Sequence, residues 1–520
     1  MKYSFVIVFL LCSVLSYEAI FSQSYYDTSI DNPLVEQNIF LHKKAQMNTL
    51  SDFKEIKEKL PIPLWPSRQD VLSCYWKAWE LAFTNIKENK TENGFLQPYI
   101  SPAFNNHLFM WDTSFMMMFG RYGHRAFNFQ GSLDNFYKNQ HKDGYICREI
   151  SELNGAEIFS KYDPSSTGPN IMPWAEWDYF QYYQDKERLK TVFPVLLAYY
   201  EWFEQNRSWK DGSYFSTGWG CGMDNQPRLQ PGYNPEFSHG FMSWIDTSLQ
   251  QLFAAKVLIK MAEVLDRKND VKDVEVEMKK LTAYVQQNMW DEKTGYFYDR
   301  YRDGSLSGVK SIASYWALLA ETVPIVHLKK FVNHLENPAE FARLHRVPTL
   351  SADTKGYSPD GNYWQGGVWA PTSYMVLRGL TRYKQDSLAY EIAINHLNNV
   401  VKVYQETRTL WENYAPDRVE GKYRKDLVGW TGLVPISVLL EYVFGLSVDR
   451  EENVLVWDIR LLDEFGVKNY PLKNNGNANF WCAKRKRNTE KPKVRITSSV
   501  PLTLKLIWAG GTEVLHIKGD

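Results

Sequence analysis

Apolar residues recur at three- and four-residue spacing in about eleven or twelve separate segments of this chain, with no strands alternating between them. Between Val71 and Ile86 the pattern runs through Val71, Tyr75, Ala78, Trp79, Leu81 and Ala82, one face of an amphipathic helix. Similar segments begin near Thr113, Pro173, Leu189, Ser243, Val271, Ile312, Val326, Pro371, Ser387 and Val428. Such a succession can bury its apolar stripes only helix against helix. A solenoid would show a fixed repeat, and none is visible. A closed toroid of paired helices, with long loops on one face shaping a pocket, fits better. Helix starts are expected at Asp112, before Thr113-Ser114, and in the capping-box pattern Ser67-Arg68-Gln69-Asp70.

After about Gly445 the pattern changes to short strand-like runs, among them 454–457, 479–481, 494–497, 502–507 and 514–517. Turn signals at Asn474-Asn475-Gly476-Asn477 and Gly510-Gly511 separate them. The chain is therefore expected to be mainly α. It divides into a leader (1–22), a polar arm (23–65), a helical domain (66–445) and a small C-terminal β-sandwich (446–520). The Lys484–Lys491 charge run reads as a solvated hairpin tip.

Lys2, an apolar run from Phe5 to Leu15 and a polar stretch through Ser22-Gln23-Ser24 have the layout of a signal peptide cleaved near Ser22. The expectation is export to the periplasm or beyond. Leu11 stands before Cys12 where a lipoprotein site needs a small residue, so lipidation is not the reading taken. No other apolar stretch is long enough to span a membrane. Cys74, Cys147, Cys221 and Cys482 are widely spaced, without a metal pattern, and read as buried thiols. Basic and acidic residues balance at 60 each, with no basic stripe for nucleic acid.

Aromatic residues make up 15% of the chain, and many stand beside Gly, Asp and Asn in loop-like stretches where core packing explains them less well than sugar stacking. Gly218-Trp219-Gly220-Cys221-Gly222-Met223-Asp224-Asn225-Gln226-Pro227-Arg228 carries too many glycines for a regular helix and reads as a shaped loop around Asp224. A carboxyl in such a loop can have its pKa raised and act as a general acid; a turn aspartate is the plain alternative. Leu410-Trp411-Glu412-Asn413-Tyr414 places a glutamate between aromatics, either a base that activates water or an ordinary helix-start residue. Asp112 is a helix N-cap, an acceptor for sugar hydroxyls, or both. Tyr363-Trp364-Gln365-Gly366-Gly367-Val368-Trp369 and Asp143-Gly144-Tyr145-Ile146-Cys147-Arg148-Glu149 offer flat rings and hydroxyl-binding side chains, notably Gln365 and Arg148.

In combination and order, the motifs at 111–115, 143–149, 222–228, 363–369 and 410–414 resemble glycoside hydrolase family 63, which includes processing α-glucosidase I and bacterial mannosylglycerate hydrolases; the trehalases are related. The resemblance covers about residues 65–445. It implies an (α/α)6 barrel that hydrolyses an α-linked sugar with inversion, glucosidase-like and exo-acting. By that resemblance Asp224 matches the general acid and Glu412 the general base, with no metal or cofactor. Trp111, Asp112, Arg148, Arg228, Trp364 and Trp369 match pocket positions, and Trp219, Tyr363, Gln365 and Trp411 are candidates beside them. The chain departs from the family at Gln365-Gly366-Gly367, where Arg-Gly-Pro is usual, and at Cys147, where Pro is common. Two other readings stay open: a toroidal sugar epimerase or lyase using His107, His124, His141 or His239, and a glycan-binding protein. The expected ligand is an oligosaccharide or glycoside; nothing in the chain sets its oligomeric state.

Overall fold

A computed structural model describes residues 30–45, 52–427, 429–448 and 454–519. The leader, with Cys12, lies outside the described residues. Helices dominate as far as residue 443, in two kinds. Met110–Gly120 is buried at every position, and Ile245–Val264 and Ala370–Arg382 are nearly so. By contrast Lys272–Asn288 buries only Val274, Leu281 and Val285, one stripe of an amphipathic helix. The first kind lies inside and the second outside.

The inner helices touch in sequence. Met110–Gly120 packs on Met172–Tyr183, which packs on Ile245–Val264. Next come the short turns Ile312–Tyr315 and Trp316–Leu319, then Ala370–Arg382 and then Val434–Val443, which returns to Met110–Gly120. Val434–Val443 is a π-helix, bonded five residues back, and buries nine of its ten residues. At one end four of these elements meet in a ring of charge. Arg121 pairs with Asp178 (2.9 Å) and Glu441 (2.5 Å), and Arg378 with the same two acids (2.8 and 3.4 Å). All four side chains are buried, so each ion depends on the others for its solvation.

The C-terminal region is two four-stranded sheets packed through Trp457, Phe480, Leu504 and Leu506. One sheet takes its edge strand from the arm: Ile62–Leu64 pairs antiparallel with Phe465–Pro471. The arm thus supplies a strand to the C-terminal sandwich. Asn38 also pins it to the helical body through the Tyr137 carbonyl and Gln140. The Lys484–Lys491 run does connect two paired strands, but Arg485 is buried, donating to the carbonyls of Ile459 and Leu461. Ser67 does not cap the first long helix, Gln69–Thr84; its hydroxyl donates to Asp463 instead. The four described cysteines are free and buried. Among the described residues no helix is long and apolar enough to cross a membrane.

Candidate active site

Opposite the charged ring, five regions of the chain (104–112, 148–169, 219–224, 363–364 and Trp430) enclose a cavity of about 470 Å³. Trp111, Asp112, Arg148, Trp219, Asp224, Tyr363 and Trp364 line it, all expected from the sequence. Phe104, Phe109, Glu149, Phe159 and Trp430 join them unforeseen, though Glu149 closes one of the motifs and Trp430 follows a glycine as Trp219 does.

Asp224 stands just after a one-turn helix, Gly218–Cys221, that ends on left-handed Gly222 (φ 76°). A side chain at Gly218 would collide with the carbonyls of Pro235 and Asp224, so glycine is required there. The Trp111 ring lies against Gly222. Asn225 then fastens this loop to the aromatic one: its amide donates to the Asn362 carbonyl (3.0 Å), its oxygen accepts from the Trp364 N–H (2.9 Å), and its carbonyl accepts from Gln365 (3.0 Å). Tyr363 follows with left-handed φ 64°, a conformation costing a bulky residue about 1–3 kcal/mol.

Glu412 lies on a strand, Trp411–Tyr414, paired with Gly421–Lys425, which rules out the helix-start alternative. The Arg424 N–H donates to one carboxylate oxygen (3.3 Å), and the other is buried with no protein partner. The Trp430 indole donates to the Glu412 carbonyl (3.0 Å). Burial pushes the Glu412 carboxyl up to about 7, and burial pushes Asp224 up to about 6. The Asp224 charge raises Glu412 further, and the Tyr363 phenol, near both, pulls each down. Arg148 lowers Asp224, while Arg424 lowers Glu412. Asp112 is likewise held well above the usual range by burial, and the Glu412 and Glu149 charges add to it.

Asp112 is not the N-cap. The helix starts at Met110 with Phe109 as its cap, leaving Asp112 in the first turn with its carboxyl free for the cavity. Arg148 pairs with Glu149 (3.2 Å), donates to the Ser165 carbonyl (2.7 Å) and stacks over Phe159.

Five expected site residues are absent from the cavity wall, among them Glu412, which is buried and reaches the site through the Trp430 indole that bonds its carbonyl. Arg228 is buried behind the loop, its guanidinium divided between Asp246 (2.7 and 2.9 Å) and Asp299 (2.8 and 2.6 Å). With every direction of its fork used, it braces the Asp224 loop and has nothing to offer a sugar. Trp369 is fully buried, stacked at 3.8 Å and 4° under Trp364, so only the upper ring meets the cavity. Gln365 is spent on Asn225 and Asn362. Trp411 packs on Gly421 and donates to Thr407. Of the histidines, only His107 comes near, through its 2.6 Å contact with Glu149. Among the described residues no group of three or more His, Cys, Asp or Glu side chains is placed to hold a metal ion.

The sequence profile of the mannosylglycerate hydrolase MGH1-like glycoside hydrolase domain matches residues 105–431. An uncharacterized protein of Borreliella burgdorferi is 26% identical over 71% of this chain and 78% of its own. A probable mannosyl-oligosaccharide glucosidase of Schizosaccharomyces pombe is 23% identical over 49% of the chain, which spans only 34% of that protein. Among solved structures, the family 63 mannosylglycerate hydrolase of Thermus thermophilus in complex with glucose superposes with a TM-score of 0.59 at 17% identity, covering 70% of this chain and 99% of that one. Neutral trehalase from Saccharomyces cerevisiae gives 0.53 at 14% identity, over 66% of this chain and 73% of the trehalase. At these identities the superpositions speak for the fold alone. With the profile spanning more than half its length, the chain belongs to the mannosylglycerate hydrolase MGH1-like branch of glycoside hydrolase family 63.

Proposed function

We propose that this glycoside hydrolase is an exported, exo-acting α-glycosidase that cleaves with inversion inside an (α/α)6 barrel. The cyclic order of inner-helix contacts supports the barrel. The observation that carries the chemistry is the electrostatic coupling of Asp224 and Glu412 beside one aromatic-walled cavity. Such a pair, both raised by burial, holds one proton between them near neutrality.

In the reactive state that proton is on Asp224, which delivers it to the leaving oxygen. Ionised Glu412 takes a proton from water on the opposite face of the ring, which requires a carboxyl separation of about 6.5–9.5 Å. The pKa order alone would put the proton on Glu412. The Arg424 N–H and the Arg424 charge favour ionised Glu412, while Asp224 stands partly exposed at the cavity wall where a leaving group arrives. We therefore follow the family resemblance in assigning the roles. Trp111, Trp364 and Trp219 supply flat faces for the sugar, and Asp112 and Arg148 its hydroxyl partners. Export rests on the leader-like sequence at residues 1–22.

A panel of α-linked disaccharides, followed by NMR for released sugar and anomer, tests this reading. Release of the β-anomer supports inversion; release of the α-anomer, or an epimerised or unsaturated product, overturns it. The roles separate with an α-glycosyl fluoride, whose leaving group needs no acid: Asp224→Asn should turn it over and Glu412→Gln should not.

A further inference from the structure

Aromatic rings continue out of the cavity across the surface. Phe159 and Trp219 form the wall next to Asp224, and the Trp219 ring meets Phe237 at 5.7 Å. Two residues further along the chain begins a second group, in which His239, Phe241, Trp209, Phe215 and Tyr233 lie ring to ring at 4.5–6.4 Å. Trp209, Phe215 and Trp219 are half-buried, but Tyr233, Phe237 and Phe241 are not core. Phe237 is 50% exposed and Phe241 47%. Two such groups, carried by one short segment of chain with large apolar side chains left in water, call for an explanation that single exposed rings do not.

The strip is also built. Phe241 has left-handed φ 51°, directly after Gly240 at φ 62°, so the turn that projects its ring is strained for a bulky residue. Its N–H is held by His239 Nδ1 (3.0 Å). The Trp209 indole is fixed to the Met242 carbonyl (2.8 Å) and the Trp244 indole to the His239 carbonyl (3.0 Å). Two backbone bonds, Gly218 N–H to the Pro235 carbonyl (3.1 Å) and Trp219 N–H to the Glu236 carbonyl (2.7 Å), join this segment to the Asp224 loop. The rings and the acid therefore move as one body.

From this we infer that the strip Trp219–Phe237–Phe241–Trp209 is the platform for the leaving-group side of an extended glycan, so that the substrate is an oligosaccharide chain and not a sugar joined to a small polar group. The inference rests on the assignment of Asp224 as general acid, because the acid stands on the side of the bond from which the leaving group departs. Pyranose rings present apolar C–H faces to such aromatics and keep their hydroxyls toward water. Asn234, Glu236 and Ser238, interspersed among the rings, supply polar edges that suit a sugar chain better than an apolar partner.

The test compares kcat/KM for α-linked di-, tri- and tetrasaccharides sharing one non-reducing sugar. It uses the wild type, Phe237→Ala, Phe241→Ala and the double variant, with thermal melts to confirm folding. The tetrasaccharide is expected to be preferred to the disaccharide by about tenfold, the scale of one or two stacking contacts, and the preference should fall toward one in the double variant, mainly through KM. No preference in the wild type, or one that survives both substitutions, overturns the platform. Fluorescence titration of Glu412→Gln reads the same chain-length ratio as binding. Length-dependent binding without turnover in the wild type sinks the hydrolytic role but keeps the platform; binding blind to length, or no binding at all, sinks the platform. Concentration-dependent self-association abolished by Phe241→Ala would assign the strip to a second copy of the chain and overturn the inference.

Discussion

Asn225 and Trp364 share one hydrogen bond, 2.9 Å from the backbone N–H of the tryptophan to the side-chain oxygen of the asparagine, and it joins the Asp224 loop to the aromatic wall across from it. The same side chain donates to the Asn362 carbonyl, so one residue fixes two loops that sequence separates by 139 positions. Asn225→Ala should leave the fold intact, with a melting temperature within a few degrees of wild type. Misplacing the acid by about 1 Å should cost about 10²-fold in kcat. Steady-state kinetics beside a thermal melt checks both halves.

The Asp224–Glu412 pair, at about 6 and about 7, predicts a bell-shaped profile of kcat/KM with its limbs near those values. Below the acid limb both carboxyls are protonated and no base remains; above the alkaline limb both are ionised and no acid remains. A pH–rate series on the free enzyme reads the limbs, which belong to the pair and not to either residue.

The same shifts act on stability. Glu412 is raised in the folded state, from an ordinary 4.5 to about 7, so the folded protein binds the extra proton and stability falls as pH rises from about 4.5 through 7. Glu412→Gln removes this cost. It should be inactive yet more stable than wild type by about 3 kcal/mol at pH 8, with the difference vanishing below pH ~4.5. Denaturant titrations at two pH values measure it.

His345 and His396 face each other at 2.5 Å in a fully buried site behind the Glu412 ribbon. Burial lowers both, His396 to about 3, against an ordinary 6.5. Here the unfolded chain binds the extra protons, so stability is intact above pH ~6.5 and is lost as pH falls toward 3. Between pH 7 and 5 the His396 imidazole should remove about 2 kcal/mol, and His345 acts in the same direction. His396→Gln is expected to remove that contribution, read as a weaker fall in the urea midpoint between pH 7 and 5, whatever it does to stability at pH 7.

Removing Arg228 leaves Asp246 and Asp299 buried without a counter-ion. Arg228→Met should lose about 3–5 kcal/mol. Arg228→Lys should rescue only a minor part, because an ammonium cannot serve two carboxylates bidentately. Urea midpoints for the two variants, with kcat as the second readout, decide whether this residue acts through the Asp224 loop.

The helical body is legible in the sequence because helices such as Lys272–Asn288 print their burial as a 3.6-residue stripe. The inner helices are buried on nearly every side although they carry polar residues such as Asp112, Gln250 and Arg378; their existence shows in the sequence, but their inward position does not. Strands of the sandwich are missed where their pattern is interrupted. Ile62–Leu64 contains a proline, which demotes it to the edge position it takes, and Phe465–Pro471 is broken by Gly466, a β-bulge and Asn469 at φ 60°. In the site, glycine-aromatic density marks Asp224, Trp364 and their neighbours. It cannot tell a ring facing the cavity from the one stacked beneath it, as with Trp364 and Trp369, nor a sugar-binding arginine from a bracing one, as with Arg228. That distinction depends on Asp246 and Asp299, whose proximity exists only in three dimensions.

The pairing of Ile62–Leu64 with Phe465–Pro471 also sets an order of events. The Trp65 indole, bonded to Asp463, must find a partner 398 positions along the chain. Closing a loop that long is slow relative to local helix formation. As the ribosome delivers the chain, the helical body can begin to assemble while this edge strand waits, its backbone unpaired and open to wrong pairings, until Phe465–Pro471 has been made. The edge strand is thus among the late steps of assembly, and truncations that remove Phe465–Pro471 should be lost to aggregation or proteolysis before they are seen as weak enzymes.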